Sequence, residues 1–75
     1  DNSQRGSGIG TKLMQTIINQ AKEDGIHVMI GAIDSKNRES IKFHQKFGFT
    51  ETARMPEVAR KNDEWLDLVF MQKQL

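Results

Sequence analysis

From Gly10 to Asp24 the apolar residues Leu13, Met14, Ile17, Ile18 and Ala21 recur three and four apart, while Thr11, Lys12, Gln15, Gln20, Lys22 and Glu23 fill the other side. That spacing predicts an amphipathic helix, and Gly25 stands where a helix would stop. Ile26 to Ile33 is almost continuously apolar and too short for a typical helix. It predicts a strand buried on both faces, as in a sheet with helices packed on it. Asp34-Ser35-Lys36-Asn37 is a polar loop rich in residues that cap helices. A second helix is expected from Arg38 to Lys46, with Ile41, Phe43 and Phe47 as its buried side and Gly48 ending it. From Phe49 the period becomes two. Phe49 to Ala53 reads as a strand, Pro56 predicts a bulge or an edge position, and Val58-Ala59-Arg60 continues the strand. Lys61-Asn62-Asp63 reads as a turn. Glu64 to Met71 is the last strand, with Leu66, Leu68 and Phe70 on one face and Trp65, Asp67, Val69 and Met71 on the other. The order is loop, helix, strand, helix, strand, strand: half of an α/β or α+β sheet domain. There is no internal repeat, low-complexity segment or linker.

Seventy-five residues allow one small domain, burying about 60–65% of its unfolded surface. There is no cysteine, and the two histidines are well separated, so neither disulfides nor a zinc site is expected to support the core. The absence of cysteine suits a cytoplasmic setting. A formal charge of +1 with interspersed acids and bases argues against a nucleic-acid partner. No apolar run approaches the ~20 residues that span a bilayer, and no signal-peptide pattern opens the chain. The first residue is Asp, not Met, which suggests a processed, truncated or partial chain.

The candidate chemistry begins at Arg5-Gly6-Ser7-Gly8-Ile9-Gly10. Three glycines in five positions leave backbone N–H groups open to close approach by an anion, and the helix that follows adds the positive end of its dipole. Arg5 can serve as counter-ion to a phosphate held there. A P-loop would need Gly-Lys where Thr11-Lys12 stands, and the dinucleotide fingerprint would need its third glycine one residue later, after a strand. What remains is Arg-x-x-Gly-x-Gly opening a helix. The alternative is a flexible segment with incidental glycines.

Asn37 and Ser40 open the second helix just beyond the apolar strand. In an open sheet, ligands collect outside the carboxyl ends of the strands, so the glycine loop and Asn37 can meet there. Backbone N–H groups would take a pyrophosphate and the Asn37 amide would bond an amide-bearing arm. Alternatively Asn37 simply caps the helix. His44 follows two turns, or ~11 Å, along the same helix, where an imidazole could donate a proton or be an ordinary helical histidine. His27 opens the strand and reads as a packing or edge residue. Trp65 reads as core or interface, Asp67 as a solvated or pocket-facing carboxylate, and Arg54, Glu57, Arg60 and Lys61 as a solvated hairpin tip.

Taken in order, these pieces resemble the GNAT family of N-acetyltransferases. Arg5 to Thr11 is similar to the family's Gln/Arg-x-x-Gly-x-Gly/Ala pyrophosphate motif, with Arg5 at the Gln/Arg position. Asn37-x-x-Ser40-x-x-x-His44 resembles its Asn-x-x-Ala-x-x-x-Tyr pattern, and Gly48-Phe49 the Gly-Phe that follows. Trp65-Leu66-Asp67 resembles the Trp-x-Asp of the phosphinothricin and methionine-sulfone type enzymes. The resemblance covers essentially the whole chain.

It implies the C-terminal half of a GNAT-like fold, ordered helix-strand-helix-strand-strand with a mixed sheet: a single partial domain over residues 1–75 whose N-terminal half is absent. It also implies acetyl-coenzyme A (acetyl-CoA) as cosubstrate, no metal, and transfer to a small amino-acid-like amine. Arg5, Gly6, Ser7, Gly8, Ile9, Gly10 and Thr11 would hold the pyrophosphate. Asn37, with Ser40, would hold the pantetheine arm. His44 stands where the family's tyrosine protonates the leaving thiolate. The strand before the glycine loop, which would help polarise the thioester, and the acids expected to act as base are not in this stretch. Binding without catalysis, and a structural half completed by a homo-oligomer or another chain, are the competing readings.

Overall fold

A computed structural model describes residues 8–75, apart from the side chain of Ile9. Helix α1 spans Ile9–Glu23, strand β1 Val28–Asp34, helix α2 Arg38–Lys46, strand β2 Thr50–Lys61 and strand β3 Glu64–Gln74. The element order matches the pattern of apolar positions.

The sheet order is β1-β3-β2, and β3 pairs antiparallel with both neighbours. The expected mixed sheet is therefore corrected: among the described residues every pair is antiparallel. The α2 crossover does return the chain so that β1 and β2 run the same way. They do not touch, because the β2–β3 hairpin folds the last strand between them. Asn62 and Asp63 both have positive φ, 53° and 62°, as a two-residue hairpin turn requires.

Both helices end alike. The N–H of Gly25 donates to the Lys22 carbonyl and that of Ile26 to the Ala21 carbonyl; the N–H of Gly48 donates to Gln45 and that of Phe49 to His44. In each case a glycine at positive φ, 76° and 91°, lets the chain turn back over its own last carbonyls. The two glycines thereby set the angles at which β1 and β2 leave.

Directly opposed residues of antiparallel strands point to the same face. Val69 opposes Ile33, and Met71 opposes Gly31. This is the helix-covered face, and its core is Ile18, Ile33, Phe49, Val69 and Met71, with Met14, Met29, Ile41, Phe47 and Leu75 packed around it. The other face carries Ile30, Ala32, Met55, Leu68 and Phe70. Ile30 is 63% exposed there, so the expectation that β1 is buried on both faces does not hold for the described residues. The apolar run encodes the strand, but helices cover only one of its sides. Of the described apolar side chains, α1 likewise turns inward Met14, Ile18 and Ala21, while Leu13 is 61% exposed and Ile17 44%. Leu13 and Ile17 lie one residue, about 100°, round the helix from Met14 and Ile18. α2 has no fully buried residue; Ile41, Phe43 and Phe47 are half-buried.

Candidate functional site

The site is built at one end of the sheet. Four residues, Asp24 to His27, connect the end of α1 to the start of β1, so the chain reverses and the N-terminus of α1 returns to the carboxyl end of β1. Three residues, Ser35 to Asn37, connect that end to α2. The N-termini of both helices therefore open at the same end of the sheet, with their positive dipole ends directed toward it.

Gly8 is the N-cap of α1, with φ 106° and no capping side chain. Its carbonyl accepts the Lys12 N–H at 2.8 Å. The N–H groups of Ile9, Gly10 and Thr11 precede the first helical bond and are the ones a helix leaves for an outside acceptor. No acidic residue lies in the first turn, and a Cβ placed on Gly8 would meet nothing within 4 Å. Space, donors and dipole all suit an anion. Arg5, Gly6 and Ser7 lie outside the described residues.

Asn37 is the N-cap of α2. Its Oδ1 accepts the Ser40 N–H at 3.1 Å. Capping thus occupies the oxygen and leaves the two amide N–H bonds as donors. Capping therefore does not compete for the nitrogen end of the side chain. The preceding loop is held by an Asx turn, in which the Lys36 N–H donates to Asp34 Oδ1 at 3.0 Å. The Ser35 N–H also donates to the Asp67 carbonyl at 2.9 Å. A shallow polar cleft beside it is lined by Asp34, Lys36, Lys61, Asn62, Glu64 and Leu66, and Lys36 Nζ lies 3.6 Å from Glu64 at its mouth.

His44 sits on the helix-covered face, half-buried. Its Nδ1 is 2.7 Å from the Ser40 carbonyl oxygen. A carbonyl only accepts, so Nδ1 carries the proton. Phe43 and Phe49 meet the imidazole edge-to-face, at centroid separations of 6.0 and 5.1 Å. Nε2 is therefore the nitrogen left for exchange.

Of the two positions expected for Trp65, core or interface, the core is ruled out: the residue is 54% exposed, with the Arg60 guanidinium 5.2 Å over its ring. Asp67 is half-buried, and its Oδ1 accepts the Glu57 N–H at 3.0 Å. Pro56, Glu57 and Val58 together oppose Asp67, because Met55 pairs with Leu68 and Ala59 with Leu66. The bulge expected from Pro56 is there, on an edge strand, and a carboxylate holds it. Among the described residues no group of His, Asp or Glu side chains could hold a metal ion, and no helix is long and apolar enough to cross a membrane.

Comparison with known proteins gives this geometry a family. The description "Acetyltransferase (GNAT) family" matches residues 1–49. The L-amino acid N-acyltransferase MnaT of Escherichia coli is 48% identical over 71 residues, covering 95% of this chain and 41% of that protein. A Salmonella typhimurium L-methionine sulfoximine/L-methionine sulfone acetyltransferase is 49% identical, covering 95% and 42%. A Salmonella typhimurium structure described as an acetyltransferase with its cofactor acetyl-CoA superposes with a TM-score of 0.89 at 48% identity, over 97% of this chain and 42% of that one. The chain belongs to the GNAT acetyltransferase family. It spans about two-fifths of the length of these relatives.

Proposed function

We propose that the polypeptide carrying this chain is an acetyl-CoA-dependent N-acetyltransferase of a small, amino-acid-like amine, and that this stretch is its cofactor-binding half. The observation that carries the reading is the uncapped N-terminus of α1, opening at the same end of the sheet as Asn37 with its free amide donors.

In this reading the backbone N–H groups from Gly6 to Thr11, with the Arg5 guanidinium, hold the pyrophosphate, and the α1 dipole adds to them. The Asn37 amide donates to a pantetheine carbonyl. Ser40 supports that arm through the α2 turn it shares with Asn37. The amine nitrogen attacks the thioester carbonyl, the carbon–sulfur bond breaks, and one proton passes from nitrogen to sulfur. His44 is suited to the last transfer. Its Nδ1–H is held by the Ser40 carbonyl, so only Nε2 can bring the proton to the thiolate, and it can do so only from the doubly protonated ring.

The open face at Ile30 and Phe70, and the outer edge of β1, favour a second element of the proposal. This sheet is completed by further strands and apolar cover, in the same polypeptide or from another chain.

Calorimetric titration of the polypeptide with acetyl-CoA tests the binding half of the reading, and absence of binding at about 1 mM ligand, the weak end of specific affinity, would refute it. A thiol-release assay with L-methionine sulfone, L-methionine sulfoximine and other amino acids tests turnover. Binding with a flat thiol signal would leave a coenzyme A-binding module without catalysis.

A further inference from the structure

Gly31 lies in the middle of β1, where a glycine weakens a strand by about 0.5–1 kcal/mol relative to alanine. Backbone geometry gives no reason for it. Gly8, Gly25 and Gly48 have positive φ, whereas Gly31 does not. Its pairing with Met71 sits in an unbroken register from Val28–Gln74 to Asp34–Leu68, so there is no bulge either. What remains is close approach. A Cβ built on Gly31 would stand 3.3 Å from His44 Nε2 and 3.4 Å from His44 Cδ2. The edge of the imidazole that bears the exchangeable nitrogen rests on bare strand backbone.

We infer that Gly31 is a positioning residue for His44: the missing side chain is the seat in which the imidazole is held, with Nδ1–H fixed on the Ser40 carbonyl and Nε2 delivered to β1. Three constraints act together. The Ser40 carbonyl at 2.7 Å fixes the tautomer. The Phe43 and Phe49 rings fix the tilt. Gly31 fixes how deeply the ring sits. A methyl group at residue 31 pushes the ring outward by a few tenths of an ångström, lengthens the Nδ1–Ser40 bond and shifts Nε2. The link to proton transfer rests on the function proposed above; the seat itself does not.

A double-mutant cycle tests the seat without any ligand. Gly31→Ala should lower the thermal midpoint of the chain when His44 is present. In the His44→Ala background the same change should raise it, because only the strand propensity of alanine is then left. The same sign in both backgrounds overturns the inference. Nitrogen-15 NMR of the imidazole at a pH where the ring is neutral supplies a second readout, which needs no His44 variant to fold. The unchanged chain should show the proton on Nδ1, and Gly31→Ala should mix the two tautomers. Identical imidazole nitrogen shifts in both proteins overturn it. In the acetyltransferase, Gly31→Ala should lower kcat about tenfold with KM for acetyl-CoA within about twofold, as expected for sub-ångström misplacement of a reacting group. An unchanged kcat beside a positive cycle would remove His44 from the chemistry while leaving the seat intact.

Discussion

The Asp67 carboxylate on the central strand accepts the backbone N–H of Glu57 on the edge strand, at 3.0 Å. Glu57 is in the left-handed region, at φ 50°, a conformation that costs a side-chain-bearing residue about 1–2 kcal/mol. One carboxylate therefore secures a three-residue excursion that breaks the regular edge of the sheet.

Asp67→Ala removes the acceptor and should lower unfolding free energy by about 1–2 kcal/mol, measured by urea titration. Asp67→Asn keeps an oxygen and should cost less than half as much. Glu57→Gly should stabilise the chain, since glycine adopts positive φ without the Cβ penalty. Loss of stability on Glu57→Gly would mean the bend is held by the Glu57 side chain instead.

The cap made by Asn37 and the pantetheine contact proposed for it can be separated. Asn37→Asp keeps the Oδ1 that accepts the Ser40 N–H and places a negative charge at the positive end of α2. Stability should be unchanged or slightly higher. The amide donors are lost, so affinity for acetyl-CoA should fall about tenfold, or about 1.4 kcal/mol. Asn37→Ala should lose both, with about 1 kcal/mol of stability. Thermal melts and calorimetric titration of the two variants read the roles independently. Equal affinity in Asn37→Asp and the unchanged chain would assign Asn37 to capping alone.

Gly48→Ala should destabilise by about 1–2 kcal/mol, mainly through its φ of 91°. The new methyl would also come within 2.7 Å of Lys73 Nζ, but a lysine tip moves at small cost. Lys73→Ala in the Gly48→Ala background should therefore recover little. Substantial recovery in a denaturant titration would show that the contact, not the backbone angle, dominates.

Ile30 is predicted to matter for association and not for folding. It is 63% exposed on the open face, so Ile30→Thr should change stability by less than about 0.5 kcal/mol. The same change should reduce self-association of the 75-residue chain, read by light scattering across a concentration series. A large stability loss in the monomer would place Ile30 in the core after all.

Local chemistry was legible in the sequence wherever it depends on neighbours along the chain. The three- and four-residue spacing from Met14 to Ala21, the glycines at residues 25 and 48, the Asn37 cap, the break at Pro56 and the ordered motifs from Arg5 to Asp67 fixed the elements, the stops and the family. The amphipathic pattern of α1 could not reveal which stripe faces inward, because Leu13 and Met14 are both apolar and differ chiefly in what stands opposite, whereas the Ile41, Phe43 and Phe47 side of α2 was legible.

Tertiary structure alone decided the relations between distant residues. It put β3 between β1 and β2, which turned an expected mixed sheet into an antiparallel one. It left Ile30 and Phe70 on a face the described helices do not reach. It brought Asp67 to Glu57 and His44 to Gly31, pairs ten and thirteen residues apart in the chain. A glycine inside an apolar run was the one visible hint of the His44 seat. The physical reason is the same in each case: propensity and capping act within a few residues, whereas burial, cross-strand pairing and steric room exist only once separate elements have been packed together.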